Sequence, residues 1–534
     1  MKKYILKITL LCLVCSCSSF DPEAFEQAVQ NGIKANEGFE RCLRFVNGWL
    51  AEADSVSGLI PRNLTSSRDI WNACDAAADN YPFMALTAAI LGNKSLNSRM
   101  LSILEAERKL TSRIGRLPDT YSFPKQGFLY EQPNLKEIVF GSAEYMKDGL
   151  VPVTEFLGKS PWSERLLEIL DDLDTELHLT PELIHETFGY IQAVETSGDM
   201  LQVLSRAYRM TGDRRYLERA IRFGDYYLND RRLPTLVTEE QGLRLRDHGC
   251  EIVSGLTELY AAIYMEDADK RAEYQPFIHK MIDAVLAKGR NEDGLFYNAI
   301  NHVTGEITSD GIADTWGYTY DAIYTVYLLD GTEEYREAVL KALRGVTKYR
   351  KFNWEHGSAD GYADAIEGAL NLYFFEPLPE TTEWIDSEIL NMWDIQKPSG
   401  IIEGWHGDGN FARTTLMYCL WKTGGVTIDD WDNNLIYGAL VKDGKIFLTL
   451  SSPTERTVRL HFEPELHRSN LNMPVNYPRI NQFQEWFPVD SNKTYRITNA
   501  KTGKSVRVTG SQLLDEYEVT INANEALCIT VRQL

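Results

Sequence analysis

The chain has 534 residues, 44% hydrophobic, 25% charged and 11% aromatic, a composition that excludes disordered, collagen-like and disulfide-framework polypeptides. Its 77 acids outnumber 55 Lys and Arg, for a formal charge of −22. With no basic run to displace counterions from phosphate, nucleic acid is excluded as a partner, and docking on an anionic membrane surface is disfavoured.

Met1-Lys2-Lys3 opens a basic leader, followed to Ser16 by an apolar stretch interrupted at Lys7 and Thr9. It falls short of the roughly 20 residues a membrane span needs, and reads as a secretory signal. Leu13-Val14-Cys15-Ser16-Cys17 resembles a bacterial lipobox, the signal with its lipobox spanning 1–17 and Cys17 becoming the lipid-anchored first residue; ordinary signal-peptidase cleavage is the alternative. The expected location is the bacterial cell envelope, periplasmic or on the outer-membrane surface, touching membrane through the lipid alone. Cys42, Cys74, Cys250, Cys419 and Cys528 are scattered and form no CxxC pair, and most of them read as small buried hydrophobes.

From about residue 24 to 424 apolar residues recur at helical spacing, in two alternating kinds of segment. Amphipathic, charged segments cover 26–51, 99–110, 163–177, 215–228, 274–288, 333–349 and 382–394. Segments rich in small and apolar residues cover 73–91, 144–157, 195–210, 248–265, 315–329, 363–374 and 411–421. Helices apolar on most faces are buried and helices with one apolar stripe lie at the surface. The alternation therefore predicts a mainly α fold, an (α/α)6 or (α/α)7 toroid over 22–431. After Thr427, short runs at 435–441, 445–450, 457–462, 485–489, 495–498, 505–509, 516–521 and 526–531 predict a C-terminal β-sandwich over 432–534. Its long loop, 467–483, is rich in Asn and Pro and has the reach to approach the toroid.

Each inner helix opens with acids: Asp75/Asp79, Glu144/Asp148, Glu195/Asp199, Asp247/Glu251, Asp314 with Asp321, and Asp360/Asp364/Glu367. Spacings of four or seven put such acids on one helix face. For any single pair, complementing the helix dipole is reason enough. As a set they need partners or a cleft, because these helices are otherwise apolar. Trp71, Tyr81, Tyr145, Tyr190, Trp316, Tyr318, Tyr320 and Tyr362 crowd the same helix starts. Carboxylates beside aromatic faces suit a glycosidase cleft, in which one acid protonates the leaving oxygen, a second activates water or attacks, and rings stack on sugar. The catalytic candidates are Glu195 and Asp199, then Asp79 and Asp148. Candidate substrate contacts are Arg62, Asn63, Trp71, His248, Trp316, Tyr318 and Asp360, with Trp405, His406 and Arg413 from the Gly-rich turn 403–413. Arg62 and Arg413 are candidates to hold a carboxylate in a bidentate contact. Asp408 in that turn is equally readable as a helix N-cap. The chain has no HExxH, Walker loop, GxGxxG after a strand or GxSxG, so neither a metal nor a cofactor is expected.

Pro61-Arg62-Asn63, the stretch 75–83, Glu195-Thr196-Ser197-Gly198-Asp199 and Glu403-Gly404-Trp405-His406-Gly407-Asp408 resemble α/α-toroid carbohydrate-active enzymes of bacterial polysaccharide-utilisation systems. The chain resembles glycoside hydrolase family 154 in particular and, more distantly, the unsaturated glucuronyl hydrolases of families 88 and 105. The resemblance implies β-glucuronidase activity, the removal of a terminal uronic acid from a complex glycan, with a uronic-acid-containing oligosaccharide as partner. In the glucuronyl hydrolases, aspartates on successive inner helices do the acid/base work; Asp148 and Asp199 match them by position. Two other readings stay open. One is a polysaccharide lyase with Tyr318 or His248 as base; the other is a non-catalytic glycan-binding lipoprotein.

Overall fold

The structure, a computed structural model, describes residues 21–188, 190–228, 243–301, 304 and 306–534. Cys17 and the rest of the leader lie outside the described residues, as do the side chains of Tyr190 and His248.

Amphipathic helices run over Pro22–Ala51, Lys94–Thr111, Pro161–Thr175, Arg214–Leu228, Ala268–Lys288, Glu333–Gly345 and Pro379–Asp394. Their starts are written locally. Asp21 caps the first, Ser160 and Ser163 form a capping box on Pro161–Thr175, and Asp267 caps Ala268–Lys288. Between them lie the helices Tyr81–Ile90, Val151–Leu157, Tyr190–Thr211, Glu251–Ile263, Trp316–Asp330, Ala359–Phe375 and Asn410–Thr423. Glu251–Ile263 is buried along its whole length, as its near-absence of charge demands. Successive inner segments pack on one another, Tyr190–Thr211 meeting the Tyr145–Leu150 turn, and Asn410–Thr423 returns to Tyr81–Ile90, so the inner layer closes on itself. Glycines set two of these approaches: a Cβ on Gly317 would stand 2.2 Å from Gly368 Cα, and one on Gly255 would stand 2.6 Å from the Gly198 oxygen.

Two inner segments depart from the α-helix that their pattern predicts. Ala73–Asn80 and Tyr145–Leu150 are π-helical and pack directly on one another. π-Turns are rare and gather at functional sites.

After Thr427 the chain forms two antiparallel sheets. One has the order Ile436–Lys442, Lys445–Ser451, Ala526–Gln533, Thr494–Asn499, Ser505–Thr509, with Leu448 opposite Ile529. The other joins Tyr517–Ile521, Arg456–His461 and Thr427–Ile428. The run 485–489, expected as a strand, is irregular. Glu485 turns its carboxylate onto the backbone N–H and Nδ1 of His467, and Phe487 N–H donates to the Glu463 carboxylate. Its backbone groups are thus taken up outside any ladder. The sheets are not detached from the helices. Asn31 Nδ2 donates to the Ala439 carbonyl at 2.7 Å, and Gly32 lies against the backbone of Gly438.

Candidate functional site

A cleft holding about 600 Å³ of space opens at the end of the ring where the inner helices begin. Among the described residues its lining includes Asp75 and Asp79, then Glu144, Lys147 and Asp148, then Glu251, Tyr318, Asp360 with Asp364, and Arg413, from the starts of successive inner helices. His406 enters from the turn before Asn410–Thr423.

Asp75 and Asp79 share one π-turn, capped by Asn72, whose side chain accepts from Ala76 N–H at 3.1 Å. Their environments differ. Asp75 meets Arg62 Nε at 2.5 Å and Asn72 Nδ2 at 2.5 Å. Burial acts to raise it, but His406, Arg62 and Asn72 outweigh burial and hold its carboxyl below the ordinary range. Asp79 has no such donors. Burial, with repulsion from Asp148, Asp75 and Asp408, pushes it up to about 7 against the opposing pull of His406. His406 Nδ1 stands 3.3 Å from Asp79 Oδ2 and 3.0 Å from the Gly407 carbonyl. Burial disfavours the imidazolium, but Asp79 and Asp75 raise its pKa overall. Asp408 is likewise raised, to about 6, chiefly by burial.

The neighbouring π-turn brings a second charge cluster. Lys147 Nζ lies 2.7 Å from Asp148 Oδ1 and 2.5 Å from Glu251 Oε1. Burial alone would neutralise this lysine, but Asp148, Glu251, Asp199 and Glu144 keep it an ammonium. Asp148 Oδ1 also accepts from Asn481 Nδ2 at 2.9 Å. Across the cleft, Arg413 Nη2 lies 2.7 Å from Asp364 Oδ1 and 2.8 Å from Glu367 Oε2. Tyr318 donates to the same two carboxylates at 2.8 and 2.7 Å, and burial lifts its pKa far above the ordinary phenol range.

Of the residues singled out from sequence, Asp79, Asp148, Tyr318, Asp360, His406 and Arg413 line the cleft together. Glu195 and Asp199 lie behind its wall. Asp199 is fully buried, and burial with Glu251 raises its pKa well above the ordinary value. Trp71 and Trp316 are wholly buried, packed in the core where apolar area is best hidden, and present no ring to a ligand. Asn63 is also buried. Its side chain accepts from Thr65 and Ser66 N–H and donates to the Gly404 carbonyl, so it shapes two loops and does not face the cleft. Trp405 is the opposite case, 78% exposed, with the Arg62 guanidinium 5.4 Å from its ring centre. His248 lies outside the described residues at its side chain. Lys147 and Asn481 went unnoticed in the sequence. A lysine inside an apolar segment beside an acid is a usable signal for the first; nothing local marks the second.

One nitrogen of His406 and one oxygen each of Asp75 and Asp79 lie within 4.8 Å of one another, near enough to share a cation. Arg62 is paired with Asp75 in the same cluster.

No protein-family profile matches the chain, and no curated protein matches it. Among solved structures, it is similar to a family 76 alpha-1,6-mannanase of Salegentibacter sp. HEL1_6 in complex with alpha-1,6-mannotetrose, at 11% identity over 72% of this chain and 98% of that one, with a TM-score of 0.42. A D-mannose isomerase matches at 12% identity over 64% and 88% of the two chains, TM-score 0.41. The cellobiose 2-epimerase of Bacillus thermoamylovorans B4167 matches at 12% identity over 72% and 98%, TM-score 0.37. Likenesses of this size leave fold and chemistry to be argued from the chain's own residues.

Proposed function

We propose that the chain is a glycoside hydrolase, built as an (α/α)7 toroid joined to a β-sandwich, that removes a terminal uronic acid from a complex glycan. The observation that carries this is the pairing of unlike carboxyls on adjoining π-turns: Asp79, pushed up to about 7, and Asp148, held by Lys147 at 2.7 Å and Asn481 at 2.9 Å. Carboxyls whose environments push them apart take opposite parts in acid/base chemistry. Asp79 is the general acid toward the glycosidic oxygen, with His406 beside it to return the proton. Asp148 is the base or nucleophile toward the anomeric carbon. Trp405 supplies an exposed ring beside His406, and His406 supplies positive charge for a sugar carboxylate; Arg62 is paired with Asp75. Arg413 serves the enzyme's own acids instead. The lyase reading with Tyr318 as base fares worse, because that phenol is buried and donates to two carboxylates.

The test is to incubate the leaderless protein with para-nitrophenyl β-glucuronide, uronate-capped oligosaccharides and neutral para-nitrophenyl glycosides, alongside D79N and D148N. Released glucuronic acid, lost in both variants by a factor of about 10² or more, is the expected result. Release from neutral glycosides alone would keep the hydrolase and discard the uronate. An unsaturated product would replace it with a lyase, and tight binding without turnover with a glycan-binding protein.

A further inference from the structure

The segment 470–487, between the strands Arg456–His461 and Thr494–Asn499, has little regular structure but is largely buried. It is bonded to the inner helices along its length. The Pro478 carbonyl accepts from Thr325 at 3.1 Å, Arg479 Nε meets Glu155 at 3.0 Å, and the Ile480 carbonyl accepts from Arg206 at 3.3 Å. At its centre Asn481 adopts φ 63°, a left-handed conformation that Asn tolerates better than most residues. Three of its polar groups are spent on the ring. Its N–H donates to Glu367 Oε1 at 2.6 Å, its Oδ1 accepts from Arg413 at 3.0 Å, and its Nδ2 donates to Asp148 Oδ1 at 2.9 Å. Asp148 and Arg413 line the cleft.

We propose that Asn481, delivered from the C-terminal sheets through the axis of the ring, is a positioning residue that orients the Asp148 carboxylate and favours its ionised form. The proposal rests on the hydrolase reading for its effect on turnover, but not for the contact itself. Other charged groups also face Asp148: Lys147 on its own turn, Asp79 from the adjoining one, Glu144 in the cleft lining and Asp199 behind it. Of these four groups Lys147 favours the anion and the three acids oppose it, so the amide donor of Asn481 acts in the same direction as Lys147.

The experiment is a pair of variants read against pH. N481D keeps an acceptor for Arg413 but sets a carboxylate against Asp148; N481A removes the donor without adding charge. The acid limb of kcat/KM should rise by about one unit in N481D and by less in N481A, with kcat falling more than KM changes. A limb unmoved in both variants overturns the proposal. A merely structural asparagine would lower the melting temperature and leave the limb in place. Should the wild type turn over no glycoside, the hydrolase reading fails, and a thermal cycle with D148N decides. The melting temperature of N481D should then fall below wild type progressively as pH rises, and the fall should largely vanish in N481D/D148N. Additive losses in that cycle overturn the contact.

Discussion

Asp75 and Asp79 sit four residues apart on one turn, and the sequence offers no means to tell their roles apart. The contrast comes from Arg62 and Asn72, which bond to Asp75 and leave Asp79 to burial and like charge. Asp79 should therefore weaken the fold as pH rises. Its carboxyl titrates near 3.8 when exposed and at about 7 in the cleft, so between these values folding holds a proton that the unfolded chain has given up. The resulting penalty grows from about pH 4 to about pH 7 and is flat above, reaching roughly 4 kcal/mol. D79N escapes it: in urea titrations its stability relative to wild type should climb over that window while turnover is lost. A difference independent of pH would show that Asp79 does not titrate there. As the general acid, Asp79 must also be protonated, so activity should decline as pH passes about 7. R413A, which leaves Asp364 and the buried Glu367 without their shared cation, should lose about 3–5 kcal/mol by the same measurement.

At the scale of elements, the alternation of charged and apolar helices was legible because burial imposes it locally on every turn. The seven amphipathic and seven apolar segments expected from the pattern appear with boundaries moved by a few residues at each end. The π-turns were not legible, since Ala73–Asn80 and Tyr145–Leu150 have side chains that an α-helix accommodates equally well. Neither was the loss of the 485–489 strand, which depends on where Glu463 and His467 lie. Small residues on the inner helices have a concrete reason in Gly317 and Gly368, whose backbones nearly touch. G317A or G368A should separate Trp316–Asp330 from Ala359–Phe375 and lower stability by about 1–3 kcal/mol, visible as a reduced melting temperature. An unchanged melting temperature would mean that these helices slide apart freely.

For the whole molecule, the expected boundary at 431/432 separates two compositions, but contacts cross it at several places. The strand Ile436–Lys442 lies on the first helix, and the segment around Asn481 fills the ring from within. A chain ending at 431 should accordingly be insoluble or melt well below the full protein; a stable, protease-resistant ring would refute this. Among the described residues no helix is long and apolar enough to cross a membrane. The proposed attachment is the Cys17 lipid: labelled palmitate should enter the wild type and not C17A, and labelling of both would remove the lipobox reading.

By itself the sequence determined what repeats or is local: helical periodicity, caps, the change to strand pattern after Thr427, and the acids at inner-helix starts. These follow from one turn or one strand at a time, so a short window carries them. The tertiary structure alone decided which acids meet. Asp79 faces His406, and Asp148 faces Asn481 across 333 positions of chain. It also decided that Trp71 is core and Trp405 is exposed. The reason is electrostatic and geometric: a carboxyl's role depends on the charges and donors within a few ångströms, and here those arrive from distant parts of the chain.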